Sequence, residues 1–127
     1  MTRTMLAGKI HRATVTEVNV DYEGSITIDP SLLEASGILP YEMVQVLDIT
    51  NGARVETYAI ESERGSGEGF INGAAAHLIR EGDLVIILHF VQVRDEEASN
   101  VKPKIVRVDA RNHIAPKRSP LQTYADR

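Results

Sequence analysis

The chain has no cysteine and no tryptophan, and only 5% of its 127 residues are aromatic. The first absence excludes disulfides, thiol catalysis and any cysteine-based metal site, and it agrees with a reducing compartment. The second means that a core has to be built from aliphatic side chains. Long apolar runs are missing as well: the longest, Leu84 to Val93, already contains His89 and Gln92 and falls short of the ~20 residues of a membrane helix. Met1-Thr2-Arg3-Thr4 leads straight into strand-like sequence, without the apolar stretch of a signal peptide. A cytoplasmic protein with no membrane contact is the expectation. Positive charge is also in short supply. With 14 Lys and Arg against 18 Asp and Glu, the formal net charge is -4, which offers no general attraction to nucleic acid. Four scattered histidines show no His-x-x-x-His spacing, so no metal site is expected.

What is present reads as a single small β domain. From Met5 to Tyr22 the pattern is β-like, but the alternation slips between Val15 and Val18, as a bulge or sharp bend would make it do. Lys9 and His11, two apart, share a face of that strand. Asp29-Pro30 through Gly37 carries the signals of a short helix: Asp29 as N-cap, Pro30 at the first helical position, Gly37 past the end. Met43–Thr50 and Ala53–Ile60 form a hairpin across Asn51-Gly52. On its second strand Arg54, Glu56 and Tyr58 lie on one face, with Val55, Thr57 and Ala59 on the other. Gly65 to Gly69 reads as a flexible loop without the Gly-Lys-Ser/Thr ending of a nucleotide site. Phe70-Ile71 is a short strand that turns at Asn72-Gly73 into a small-residue helix, whose first N–H groups suit a carboxylate or simply pack. His77 reads as a cap or core contact. Leu84 to Val93 is a central strand and Ile105–Val108 a last one. The domain spans residues 1–109, and 110–127 reads as a flexible tail.

Between the first strand run and Ile26-Thr27-Ile28 stands Tyr22-Glu23-Gly24-Ser25. A Gly-Ser pair there is ordinarily a plain turn. It also has the chemistry for self-cleavage. The Ser25 hydroxyl can attack the Gly24 carbonyl through a five-membered ring, exchanging the amide for an ester. Loss of the Ser25 α-proton then expels the ester oxygen from Cβ, and the dehydroalanine left behind hydrolyses to a pyruvoyl group and ammonia. Glycine leaves the attacked carbonyl uncrowded and widens the accessible dihedrals. The products would be chains 1–24 and 25–127.

The run of motifs Arg3-Thr4-Met5-Leu6, Gly8-Lys9, His11-Arg12, Tyr22-Glu23-Gly24-Ser25, Thr50-Asn51-Gly52 with Arg54, Thr57-Tyr58-Ala59-Ile60, Glu63-Arg64-Gly65-Ser66, Asn72-Gly73-Ala74-Ala75-Ala76-His77 and Gly82-Asp83 resembles the pyruvoyl-dependent aspartate decarboxylase family. The likeness spans residues 3 to about 98. It implies a six-stranded double-psi β-barrel with short helices, assembled as a homotetramer with active sites between subunits. It also implies a zymogen that cleaves between Gly24 and Ser25 and then decarboxylates L-aspartate to β-alanine for pantothenate synthesis. The covalent pyruvoyl group formed from Ser25 would take the substrate amine as a Schiff base and accept electrons as carbon dioxide leaves.

The resemblance further implies roles for single residues. Tyr58 is the proton donor. Thr57 stabilises the oxyanion at Gly24 during processing and lines the substrate site. Lys9 and Arg54 meet the substrate carboxylates, and Asn72, Gly73, Ala74 and Ala75 supply further polar contacts. His11 and Tyr22 are secondary candidates. Two rival readings are a binding module on a similar barrel, with the chain intact, and a pyruvoyl decarboxylase of another amino acid.

Overall fold

The computed structural model describes residues 1–115 of the chain. In chain order the strands are β1 (Thr2–Thr14), β2 (Glu17–Asn19), β3 (Ser25–Ile28), β4 (Met43–Asp48), β5 (Arg54–Glu61), β6 (Gly69–Asn72), β7 (Leu84–Arg94) and β8 (Lys104–Arg107). The helix α1 (Pro30–Ser36) follows β3, and two 3-10 turns, Gly73–His77 and Asp95–Asn100, follow β6 and β7. Hydrogen bonds join the strands in the order β2-β6-β3-β5-β4-β7-β1-β8. The mainly β reading holds, with eight strands among the described residues rather than six. One source of the difference lies at Val15-Thr16. There the Val15 N–H turns to the Asp83 carbonyl and the Thr16 N–H to that of Gly69, both at 2.9 Å, so the first run splits into two strands at the expected bend.

β1 also slips register against β7 between Leu6 and Gly8 and again between His11 and Ala13. The stretch from Lys9 to His11 lies between the two slips and keeps its alternation, with Ile10 buried and its two neighbours half-buried on the other face. The core is aliphatic, as the lack of aromatics requires: Ile10, Ile26, Val46, Ile71, Ile79 and Val85 are all essentially inaccessible. Each such side chain contributes roughly 1.5–3 kcal/mol by leaving water.

α1 is capped as its sequence indicates. Asp29 Oδ1 accepts from Ser31 N at 2.9 Å and Ser31 Oγ at 2.8 Å, and after Gly37 turns left-handed the Ile38 N–H returns to the Leu33 carbonyl at 3.0 Å. The segment read as a flexible glycine loop is fastened to this cap through Gly67 N, which donates to Asp29 Oδ2 at 3.2 Å. Burial alone would raise the Asp29 carboxyl. The bonds from Ser31, Gly65 and Gly67 outweigh that and hold it below the ordinary range.

The tail expectation from residue 110 also changes. Asn112 is buried and ties three segments together, accepting from Thr14 N at 2.7 Å and donating to Thr14 O at 2.8 Å and Gly67 O at 2.9 Å. The chain is therefore pinned well past residue 109. The remainder of that expected tail, 116–127, lies outside the described residues.

The Asn51-Gly52 hairpin forms, but as a longer loop. Gly52 alone takes a positive φ, 81°, and its N–H reaches back to the Asp48 carbonyl at 2.8 Å. Asp48 organises that loop, its Oδ1 accepting from Thr50 N at 2.8 Å and Asn51 N at 3.2 Å. Its other oxygen is buried with no donor on it, and the group it meets is a second buried carboxyl, Asp83. The contact becomes a hydrogen bond only if one of the two keeps its proton. Burial and the bond to Asp83 push Asp48 up, while the Asp48 carboxyl and the Arg80 N–H hold Asp83 down. Arg80 and His77 share a hollow with Asp83.

Asp48 keeps its proton in the fold at a pH where the unfolded chain has lost it. Its stabilisation is therefore complete at acid pH and is lost as pH rises through its folded value. Asp83 behaves oppositely, losing its contribution as pH falls through a depressed value. Asp48→Asn retains the Oδ1 acceptor and donates to Asp83 at any pH. Thermal unfolding against pH should show the variant stabler by ~1 kcal/mol on the alkaline side, with the advantage vanishing toward acid.

Candidate functional site

The site is built around the first residue of β3. Burial changes abruptly there: Tyr22, Glu23 and Gly24 are exposed, whereas Ser25 is 2% exposed. β3 pairs antiparallel with β6, Ser25 opposite Asn72, and parallel with β5, Ile26 opposite Ala59. Facing residues share a side of the sheet, so Asn72 lies on the side of Ser25 and Thr27. Its amide nitrogen donates to Ser25 Oγ at 3.0 Å and to Thr27 Oγ1 at 3.2 Å.

Gly73 follows with φ 76°, and a Cβ built on it would come within 2.7 Å of Gly24 Cα and 2.9 Å of Gly24 N. The antiparallel register explains this contact, because the residue after Asn72 must fall against the residue before Ser25. Gly24 itself is different. A Cβ on it would meet nothing within 4 Å, and its φ is not left-handed. In the continuous chain neither crowding nor conformation requires glycine at 24, which leaves the open carbonyl as the remaining reason for it.

The parallel register with β5, continued back by one residue, sets Ser25 level with Tyr58; continued by two, it sets Gly24 level with Thr57. Tyr58 and Arg54 are exposed on one face of β5 and Thr57 is half-buried on the other, as the alternation requires. The two faces therefore meet two successive residues of the Gly24-Ser25 pair. Arg54 does not reach that level, lying four residues or roughly 13 Å from Tyr58 along β5. Its guanidinium donates to the neutral Gln45 amide at 3.2 Å rather than to a carboxylate.

Lys9 and His11 are half-buried on β1, opposite Leu88 and Ile86 of β7. Strands β5, β4 and β7 stand between β1 and β3 in the hydrogen-bonded order. One chain thus gathers Ser25, Asn72, Gly73, Thr57 and Tyr58 by pairing, and leaves Arg54, Lys9 and His11 outside that group. Ala74 is exposed and Ala75 half-buried in the 3-10 turn after Gly73. His77, read as a cap or core contact, is instead exposed on the rim of a hollow of about 670 Å³. Among the described residues no cluster of His, Asp and Glu is arranged to hold a metal ion, and no helix is long and apolar enough to cross a membrane.

Two features escaped the sequence reading. Tyr41 stacks on Tyr58 with ring centroids 6.5 Å apart. His89 bridges Glu42, at 2.8 Å, and the Ser36 carbonyl, at 2.9 Å. His89 could have been noticed as the polar residue in an apolar strand; nothing in the sequence singled out Tyr41.

A family model described as aspartate decarboxylase matches residues 1–115. Two curated relatives, each named aspartate 1-decarboxylase, are 58% identical to this chain. The one from Thermoanaerobacter pseudethanolicus aligns over 88% of this chain and 96% of its own length, the one from Corynebacterium efficiens over 90% and 84%. Among solved structures, the rationally designed mkDPBB_sym1 protein is similar at a TM-score of 0.45 and 16% identity, covering 68% of this chain and 96% of its own. That likeness is too loose to settle topology. The family match over the whole described chain is another matter: this chain belongs to the aspartate decarboxylase family.

Proposed function

We propose that the chain is a self-processing, pyruvoyl-dependent lyase of the cytoplasm that converts L-aspartate to β-alanine and carbon dioxide for pantothenate synthesis. The observation that carries the reading is the setting of the Gly24-Ser25 bond, an exposed glycine joined to a buried serine whose hydroxyl is held by Asn72. The fit is good for a group made from Ser25 itself: the serine is withdrawn from water, and glycine at 73 lets β6 come close against Gly24. When formed, the pyruvoyl ketone supplies the electrophile for the substrate amine and the sink for the electrons released with carbon dioxide.

The chain's own residues do the rest. Thr57, level with Gly24, donates to the oxyanion that forms there during processing; one such donor is typically worth ~10²–10³ in rate. Tyr58, level with Ser25, delivers the proton that replaces the departing carboxylate. Arg54 grips a substrate carboxylate through its planar fork and Lys9 adds a point charge, while Asn72 and the backbone of Gly73, Ala74 and Ala75 hold substrate oxygens. His11 and Tyr22 border the site in secondary roles.

Strand pairing within one chain does not bring Arg54 and Lys9 to Ser25, which supports a working site completed between copies, in a homotetramer of double-psi barrels. Exposed Leu39 and Met43, the latter directly across the strand pair from Tyr58, offer apolar surface for such an assembly.

Intact mass should show a fragment ending at Gly24 and a longer one lighter by one ammonia than simple hydrolysis leaves. Ser25→Ala should give only the full-length mass and no decarboxylation. A wild-type chain that makes β-alanine in one piece would refute the mechanism. For Gly73→Ala, the clash with Gly24 predicts a loss of ~1–3 kcal/mol and slowed cleavage, read on a denaturing gel. Tyr58→Phe should cleave normally yet lose ~10²–10⁴ in kcat.

A further inference from the structure

Tyr41 occupies a position that its own chemistry disfavours. Its φ is 71°, a left-handed conformation in which a bulky side chain crowds its own backbone. Burial does not explain it, because the residue is 78% exposed. Strain of this kind persists only where the surroundings over-determine it, and here they do. The Tyr41 N–H donates to the Ala59 carbonyl at 2.6 Å, and Ala59 N returns to the Glu42 carbonyl at 3.0 Å, clamping the turn onto β5 at the residue after Tyr58.

The turn is fixed from its other side as well. Glu42 accepts from Leu39 N at 2.9 Å and meets His89 Nδ1 at 2.8 Å, and His89 in turn meets the last carbonyl of α1. Helix α1, β7 and β5 therefore all hold one four-residue turn, whose single bulky left-handed residue is Tyr41.

What this rigid and strained mount presents is a ring against the ring of Tyr58. The centroids are 6.5 Å apart and the planes 28° from parallel, within the range of favourable offset stacking. Tyr58 is itself 36% exposed at the sheet surface, with exposed Met43 directly across the strand pair, so the sheet alone leaves its phenol free to swing. We infer that Tyr41 is a positioning residue for this reaction: its ring, held in place by a left-handed backbone, fixes the direction of the Tyr58 phenol. The inference rests on the reading of Tyr58 as the proton donor. A donor misplaced by about an ångström can lose up to ~10²-fold in rate, which makes a wall beside the phenol useful to the chemistry without contact with substrate.

The test uses the matured full-length protein. Asparagine tolerates the left-handed backbone but removes the ring, whereas phenylalanine keeps the ring. Tyr41→Asn should self-cleave, melt no lower than the parent and lose about 10-fold or more in kcat with KM little changed; Tyr41→Phe should restore parental turnover. Unchanged kcat in Tyr41→Asn, beside a collapse in Tyr58→Phe, overturns the role of Tyr41 and leaves that of Tyr58 standing. Equal losses in Tyr41→Asn and Tyr41→Phe, or a lowered melting temperature in Tyr41→Asn, overturn it also. Parental turnover in Tyr58→Phe removes the proton donor itself, and the inference with it.

Discussion

No side chain fits between Gly73 and Gly24, and that exclusion governs the structure around the first residue of β3. A Cβ on Gly73 would overlap the Gly24 nitrogen and Cα, so β6 can lie this close to the end of the exposed turn only with glycine at 73. The closeness brings the Asn72 amide within reach of two hydroxyls at once, those of Ser25 and Thr27. A buried serine oxygen left without a donor would be costly. Here the donor comes from the strand whose approach the glycine permits. The bond between residues 24 and 25 is thus held by paired strands on either side of β3, and a site on rigid elements keeps its geometry better than one on loops.

β5 carries the second half of the arrangement. Its parallel pairing with β3 makes it a ruler laid beside the 24–25 bond, and its alternation divides labour between two faces. Thr57 and Tyr58 are adjacent in sequence yet point to opposite sides, so the two faces of β5 lie level with two successive residues, Gly24 and Ser25. The same geometry leaves Arg54 four residues along the strand from Tyr58, off the level of Ser25.

Around this frame the fold relies on a few buried polar pins. An aliphatic core is non-directional, and in a chain this short it leaves many loops to be placed. Asp29 joins the helix cap to the glycine loop, and Asn112 joins β1, that loop and the last turn. Asp48 and Asp83 tie the β4–β5 loop to the start of β7, and His89 with Glu42 ties the turn bearing Tyr41 to α1. Buried polar groups that bond across segments in this way add direction to a core that has none.

Local rules carried much of this into the sequence. The cap at Asp29, the left-handed Gly37, the hairpin at Gly52, the bend after Val15 and the two faces of β5 each follow from neighbours within a few residues, and all were legible without coordinates. So was the family, once the ordered motifs around the 24–25 pair were read together. Long-range pairing was not legible. That Ser25 lies opposite Asn72, that Gly73 is pressed against Gly24, that Asn112 returns to Thr14 instead of trailing away, and that Tyr41 meets Tyr58 all depend on strand order and register. The sequence by itself determined which chemistry the chain can carry and most of its local turns, because those depend on bond angles and side-chain types. Which residues share a site was decided only by the tertiary structure, because register is chosen by the burial of a whole face at once and no single stretch contains it.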